Sequence, residues 1–259
     1  MMCELFCFSG SSAMAKTDLT PYLKEFFSHC PRHPNGWGLA DFSVCPAVMY
    51  KESLRAGDSE LLSALLRRGV SSSSLFAHIR CATEGSVRRE NSHPFRGADA
   101  TGRTWTLIHN GTIFDGLELI KYRAVQKGDT DSERILLYLL DRINCETNRL
   151  GRDLTPLERC GVVDAMVRRL SYRNKLNLMI HDGARMYVHY NMKNTLYCVE
   201  DQNGICVATT PLGEEDWRPL PLTVLSVYER GKLVFRGGNH KNEYLSGGLE
   251  ELHRYEYYI

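Results

Sequence analysis

Met1-Met2-Cys3-Glu4-Leu5-Phe6-Cys7-Phe8 opens the chain, and its reading decides what the remaining residues have to build around. A thiol stands almost at the start and runs straight into an apolar, strand-like segment. On this segment alone, Cys3 is a small buried hydrophobe in a first strand, the common fate of a free cysteine. A residue that becomes the true N-terminus differs in one respect: it carries an α-amino group with an unperturbed pKa of about 7.7–8.0. Nucleophile and proton acceptor then belong to one residue. Which reading holds depends on the polar groups set into otherwise apolar strands further on.

The chain has 259 residues, 43% of them hydrophobic and 24% charged, which is enough to bury a proper core. A single domain over 1–259 is expected, with a core over 2–236 and a tail over 237–259. Thirty-two basic and 31 acidic residues leave a formal net charge of +1, so no long-range field draws in nucleic acid or anionic lipid. The nine cysteines are odd in number and irregularly spaced. No secretory signal with a basic start precedes them, so reduced thiols in a cytoplasmic protein are expected. No run has the apolar length of a membrane span. Cys30 and His33 lack a second ligand pair at a convincing distance, so no metal is expected, and no cofactor either.

Beyond the opening strand, Thr20-Pro21 reads as an N-cap with proline in the first turn, followed by an apolar stripe of Leu23, Phe26 and Phe27. Two glycines flank Trp37 at the mouth of a strand, which suggests close backbone approach, and Ala47 to Tyr50 reads as its hairpin partner. Asp58 is expected to cap a second helix that ends at Gly69. Leu75 to Cys81 is apolar on both faces, hence a strand covered twice. Trp105 to His109 is another, stopping at the turn signal Asn110-Gly111. Thr130-Asp131-Ser132-Glu133 and Thr155-Pro156-Leu157-Glu158 both have capping-box spacing ahead of apolar stripes. Six strands follow, from Leu176 to Phe235, joined by turns such as Asp182-Gly183, Asn203-Gly204 and Arg230-Gly231. Strands, then helices, then strands with local hairpins predict antiparallel sheets with helices packed outside, an α+β chain.

Several polar residues fit such a core poorly. Arg80 ends an apolar strand, where a guanidinium needs a planar anion, either a core Asp or Glu or a bound carboxylate. Thr83 could assist the same carboxylate or simply form a turn. Asp131 suits a helix start for dipole reasons, yet three acids crowd there and would also suit an ammonium group. Together Arg80 and Asp131 could hold the zwitterionic head of an amino acid. Asn110 with the backbone N–H of Gly111 has the makings of an oxyanion hole, though on its own the dipeptide reads as an ordinary hairpin turn. His93 is either a pocket wall or a solvated loop residue.

These pieces resemble the class II glutamine amidotransferases, which are N-terminal-nucleophile hydrolases. The matches are Met2-Cys-Glu-Leu5, His33-Pro-Asn-Gly-Trp-Gly38, Ala77-His-Ile-Arg-Cys-Ala-Thr83, Asn91-Ser-His-Pro-Phe95, His109-Asn-Gly111 and Gly128-Asp-Thr-Asp-Ser-Glu133, in family order over the first half of the chain. Ala208-Thr-Thr-Pro-Leu212 with Trp217 resembles a later element of the stand-alone members. The resemblance implies a four-layer αββα sandwich with Cys3 as nucleophile, Asn110 and Gly111 as oxyanion hole, Arg80 on the substrate carboxylate and Asp131 on its ammonium. It implies cleavage of a γ-glutamyl amide through a thioester, releasing glutamate and ammonia or an amine. Met1 would block exposure of Cys3 by methionine trimming, so a start at Met2 is expected. Glu84 stands where synthase-fused members carry histidine, which moves the chain toward the stand-alone branch.

Three readings follow. The first is a glutaminase subunit feeding ammonia to a separate synthase. The second is a hydrolase of γ-glutamyl peptides or conjugates, like relatives in glutathione breakdown and ergothioneine synthesis. The third is a non-catalytic regulatory subunit whose Cys3 is never exposed.

Overall fold

The computed structural model describes residues 3–11 and 16–245. In chain order its elements are β1 (Glu4–Gly10), β2 (Thr17–Asp18), α1 (Thr20–Ser28), β3 (Trp37–Asp41), β4 (Val48–Glu52), α2 (Glu60–Arg68), β5 (Ser71–Ser72), β6 (Ser74–Ile79), β7 (Phe95–Ala98) and β8 (Thr104–Thr112). There follow α3 (Asp131–Leu150), α4 (Pro156–Leu170), β9 (Lys175–His181), β10 (Met186–His189), β11 (Tyr197–Asp201), β12 (Gly204–Ala208), β13 (Arg218–Pro219), β14 (Ser226–Glu229) and β15 (Lys232–Arg236). Short 3₁₀ turns fill Cys30–Arg32, Ala56–Asp58, Arg89–Asn91 and Leu117–Ala124.

Two large antiparallel sheets result, ordered β13-β11-β12-β1-β6-β3-β4 and β15-β14-β10-β9-β8-β7. Alternation along each strand sends side chains to opposite faces, and the apolar residues sort accordingly into three layers. Phe6, Phe8, Trp37, Leu39 and Leu75 face α1 and α2. Trp105, Leu107, Leu176, Leu178 and Ile180 face α3 and α4. Leu5, Cys7, Ala40, Phe76, Ile108 and Met179 meet between the sheets. This is the expected αββα sandwich, and β1 lies inside its sheet, paired on one side with β6 and on the other with β12.

Local signals explain most boundaries, and several caps are shifted from their expected places. Helix α4 has the complete capping box of Thr155 and Glu158. At α3 only half of it forms: Thr130 accepts from the Glu133 N–H, while the Glu133 carboxylate turns away to accept from the N–H groups of Lys127 and Gly128 at 2.8 and 2.7 Å. Thr20 is the first helical residue of α1, not its cap, and the Asp18 carboxylate receives its N–H at 2.9 Å. Ser59 caps α2 through Leu62 N–H, whereas Asp58 pairs with Arg55. Asn110-Gly111 is no turn: β8 runs through it to Thr112, paired in register with Asn177 and Leu176 of β9. Long-range pairing there overrides the local turn propensity.

Glycine admits one close crossing that the layers require. A Cβ on Gly38 would stand 1.9 Å from the carbonyl oxygen of His93, so the His93-Pro94 segment passes against β3 only because that position is bare. The two glycines beside Trp37 therefore do what their placement suggested.

Buried imidazoles make the sandwich acid-sensitive. Burial pushes His78 and His189 down to about 3, His109 and His181 down to about 4, and His93 well below the ordinary histidine range. Folded values lie below unfolded ones, so the unfolded chain binds more protons as pH falls below about 6.5, and stability is lost in that direction. We expect the unfolding free energy in urea to fall between about pH 6.5 and 4, by up to about 1.4 kcal/mol per pH unit for each titrating imidazole. A level profile across that window would contradict the placement of these rings.

Candidate active site

Strand periodicity places Cys3 on the same face as Leu5 and Cys7, at the end of the layer between the sheets. The residue is half-buried. Its Sγ lies 3.3 Å from both the N–H and the carbonyl oxygen of Cys81, accepting from the one and donating to the other. Burial pushes the thiol up to about 11, against the pull of Arg80 and Lys175 nearby. A buried thiol in this setting is protonated near neutral pH and requires a base to become a nucleophile.

Arg80 continues the line of β6 past Ile79. Its N–H donates to Gly36 O at 2.8 Å, and its carbonyl accepts from Asn35 N at 3.1 Å. The side chain is 2% exposed, yet it forms no ion pair with an Asp or Glu among the described residues. Three backbone carbonyls take it instead: Ser86 O at 3.0 Å from Nη1, and Glu84 O and Gly85 O at 2.9 and 3.1 Å from Nη2. A guanidinium has five N–H donors, so some donor capacity remains for another acceptor. The core ion pair considered from sequence is absent here. The charge is met by carbonyl dipoles, and the loop over 84–86 is shaped around it.

That loop is fastened to the start of α3 by Asn91, which is fully buried. The Asn91 amide donates to Ser86 O at 2.8 Å and to the Asp129 carboxylate, and its Oδ1 accepts from Asp129 N at 2.9 Å. Ser86 reinforces the link through its own N–H and hydroxyl, at 3.2 and 3.1 Å from Asp129. Asn91 opens the Asn91-Ser-His-Pro-Phe95 match but was given no role from sequence, because no local pattern links it to its partners Ser86 and Asp129.

Asp131, the first residue of α3, is 4% exposed. Its carboxylate accepts from Ile113 N at 2.9 Å and from the Ser132 hydroxyl at 3.1 Å, and burial raises its pKa. The Glu84–Arg134 ion pair at 2.6 Å stands beside it. Helix start, strand end and the Arg80 loop therefore meet at one corner.

Asn110 and Gly111 lie on β8 beyond the point where β7 stops. Strand β7 pairs no further than Leu107, so residues 108–112 have a strand partner on one flank only. Gly111 is bare for a steric reason: a Cβ there would stand 2.0 Å from Lys175 O and 2.4 Å from His109 Nε2. Asn110 is 4% exposed, and its Oδ1 accepts from Lys175 Nζ at 3.4 Å. Lys175, itself 3% exposed, was missed from sequence. A lysine heading the apolar run Leu176 to Ile180 was the available signal.

Two further residues were singled out from sequence. Thr83 is exposed. His93 is buried between the sheets, its ring 4.0 Å from that of His78 and edge-on to Phe95. Neither of its ring nitrogens has a hydrogen-bond partner among the described residues.

The family model described as glutamine amidotransferases class-II matches residues 2–203. An uncharacterized protein of Methanocaldococcus jannaschii is 27% identical, over 90% of this chain and 71% of its own. YafJ of Escherichia coli, whose name assigns it only provisionally to the glutamine amidotransferases, is 30% identical over 80% of each chain. Among solved structures, a predicted glutamine amidotransferase from Pseudomonas aeruginosa superposes with a TM-score of 0.59 at 19% identity, covering 90% of this chain and 95% of that one. The glutamine phosphoribosylpyrophosphate amidotransferase of Bacillus subtilis gives 0.63 at 15% identity, and the match covers 92% of this chain but only 49% of that one. The chain belongs to the class II glutamine amidotransferase family and has its N-terminal-nucleophile hydrolase fold.

Two substitutions test the corner as built. Asn91→Ala strands the polar partners that meet there and is expected to cost about 1–3 kcal/mol. Gly111→Ala overpacks against Lys175 O, with a cost of about 1–3 kcal/mol or more. Urea unfolding with circular dichroism measures both, and wild-type stability in either variant would contradict the contacts described.

Proposed function

We propose that this protein is an amidohydrolase that cleaves a γ-glutamyl amide through an acyl-enzyme on Cys3. The observation that carries the reading is the placement of the Cys3 thiol beside a buried Arg80 with unspent donors, in a chain of this family. In the reading, residues 1 and 2 are removed and the α-amine of Cys3 takes the thiol proton. The sulfur then attacks the γ-carbonyl carbon. Asn110 Nδ2 and the Gly111 N–H receive the developing oxyanion. Collapse of the tetrahedral intermediate expels ammonia or an amine, protonated by the same α-amine, and leaves a γ-glutamyl thioester. Water then releases glutamate and restores the thiol.

Recognition of the glutamyl head follows from charge. Arg80 meets the α-carboxylate, while Asp131 meets the α-ammonium. Desolvation would otherwise favour the neutral carboxyl at Asp131. A bound ammonium returns it to the carboxylate form, so substrate and site ionise together. The reaction as proposed draws on no cofactor.

Free glutamine and γ-glutamyl peptides both present this head, and a separate synthase subunit taking the ammonia is compatible with the first of them. All nine cysteines are unpaired, which supports a reducing, cytoplasmic setting.

Mature protein incubated with glutamine and with γ-glutamyl peptides, with glutamate release measured, tests the reading. Cys3→Ser is expected to lower turnover by at least about 10³-fold while binding persists. Rate should rise with pH along a limb near about 8, set by the α-amine. Undiminished turnover in Cys3→Ser would end the proposal, as would retention of Met2 in the active protein.

A further inference from the structure

Lys175 heads β9, is 3% exposed, and stands opposite Thr112 in the ladder with β8. Alternation puts its side chain on the same face as Asn177 and Met179, toward the space between the sheets. Its Nζ donates to Asn110 Oδ1 at 3.4 Å. An ammonium has donors only, so the end of the Asn110 amide that faces it has to be the oxygen. The other end, Nδ2, is thereby turned away from Lys175, and it makes no hydrogen bond among the described residues.

We propose that Lys175 is the positioning residue for the reaction: it locks the Asn110 amide so that Nδ2 is the end offered to an oxyanion, and it sets a fixed positive charge beside the Cys3 thiol. This deepens the reading given under Proposed function and rests on it for the role of Asn110. Without Lys175 the amide can rotate by half a turn, and its oxygen would then repel the developing oxyanion. Among the described residues, the charged and titratable groups around the thiol are Arg80 from the end of β6, Cys81 from the loop that follows, and Lys175 from β9, and in the mature chain the α-amine of Cys3 joins them equally in wild type and variants. His109 of β8 lies close to Lys175 and is held neutral by burial. Both cations favour the thiolate, and Lys175 is the one that also touches the oxyanion donor.

The test separates this role from plain structural support. Lys175→Met keeps the length and apolar stem, loses the charge and donates nothing. It is expected to lower kcat about 10–100-fold with KM within about threefold, as for an oxyanion donor that is misdirected rather than deleted. Lys175→Arg, which still donates and stays charged, is expected to recover most of that loss.

A second measurement needs no turnover. Alkylation of Cys3 by iodoacetamide in the mature protein, followed on its own peptide by mass spectrometry from about pH 6 to 11, reads the thiolate directly. The half-rate pH should rise by about one unit in Lys175→Met and stay near wild type in Lys175→Arg, as expected when one nearby charge is removed. If Lys175→Met does not fold, Lys175→Gln carries the same expectation. An unchanged alkylation profile in the neutral variants overturns the proposal even where the wild type releases glutamate. A shifted profile in a protein that releases none upholds the charge beside the thiol and sinks the amidohydrolase reading instead.

Discussion

Arg80 encloses a guanidinium at the end of an apolar sandwich, and the structure around it is largely the answer to that demand. A charge taken out of water needs dense hydrogen bonding, and no carboxylate among the described residues supplies it. Three successive carbonyls, from Glu84, Gly85 and Ser86, bend around the head. A loop that turns its carbonyls inward has to be held from outside, and Asn91 does so by joining Ser86 to Asp129. Asp129 leads into the first turn of α3, where Asp131 receives the N–H of Ile113 just beyond the end of β8. Each link takes up a polar group presented by the one before it. Strand, loop, helix start and neighbouring sheet are thus joined by hydrogen bonds rather than by apolar contact.

Sequence reading recovered what depends on short-range pattern. Continuous apolar runs in Leu5 to Phe8 and Leu75 to Ile79, and the boxes at Thr130 and Thr155, led to the right elements. Arg80 and Asp131, charged residues flagged as poor fits to an apolar core, are both buried and lie near one another, and the Cys3 thiol lies near Arg80. What escaped depends on partners distant in the chain. Lys175 sits one residue before the apolar run that marked its strand, and its meaning lies in Asn110, 65 residues away. The Phe95–Ala98 strand is four residues without alternation and exists because β8 gives it an edge. Asn110-Gly111 was misread because the dipeptide favours a tight turn in isolation, while β9 offers it a ladder.

The same contrast separates the two ends of the space between the sheets. Its middle is Leu5, Cys7, Phe76, Ile108 and Met179, with no need of polar partners. Its imidazoles pack as rings: His93 on His78 at 4.0 Å, and His181 on Phe42 at 3.8 Å. Neutral histidines can serve as flat, polarisable core residues, and the depressed pKa values are the electrostatic side of that role. Among the described residues, the permanently charged Arg80 and the ammonium of Lys175 lie at the Cys3 end, and the chemistry proposed here is placed there.

The family match ends at residue 203, but the fold does not. Strand β12, just beyond that point, completes the ladder on the open side of β1, pairing from Phe6 with Ala208 to Gly10 with Gly204. Thr209 extends the contact: its hydroxyl accepts from Leu5 N at 3.1 Å, and its N–H donates to Leu5 O at 3.0 Å. The strand that carries Cys3 is therefore clamped from one side by residues outside the matched region. Strands β14 and β15 likewise extend the second sheet. Past them, Tyr244 donates its N–H to Asn191 O at 2.7 Å and lays its ring parallel to Phe114, in the segment that follows Ile113. The strand that follows Cys3 and the segment beside the Asp131 corner are both packed against this stretch. The chain after residue 203 thus holds β1 on the flank that β6 leaves open, and with it the position from which Cys3 leads into the sheet.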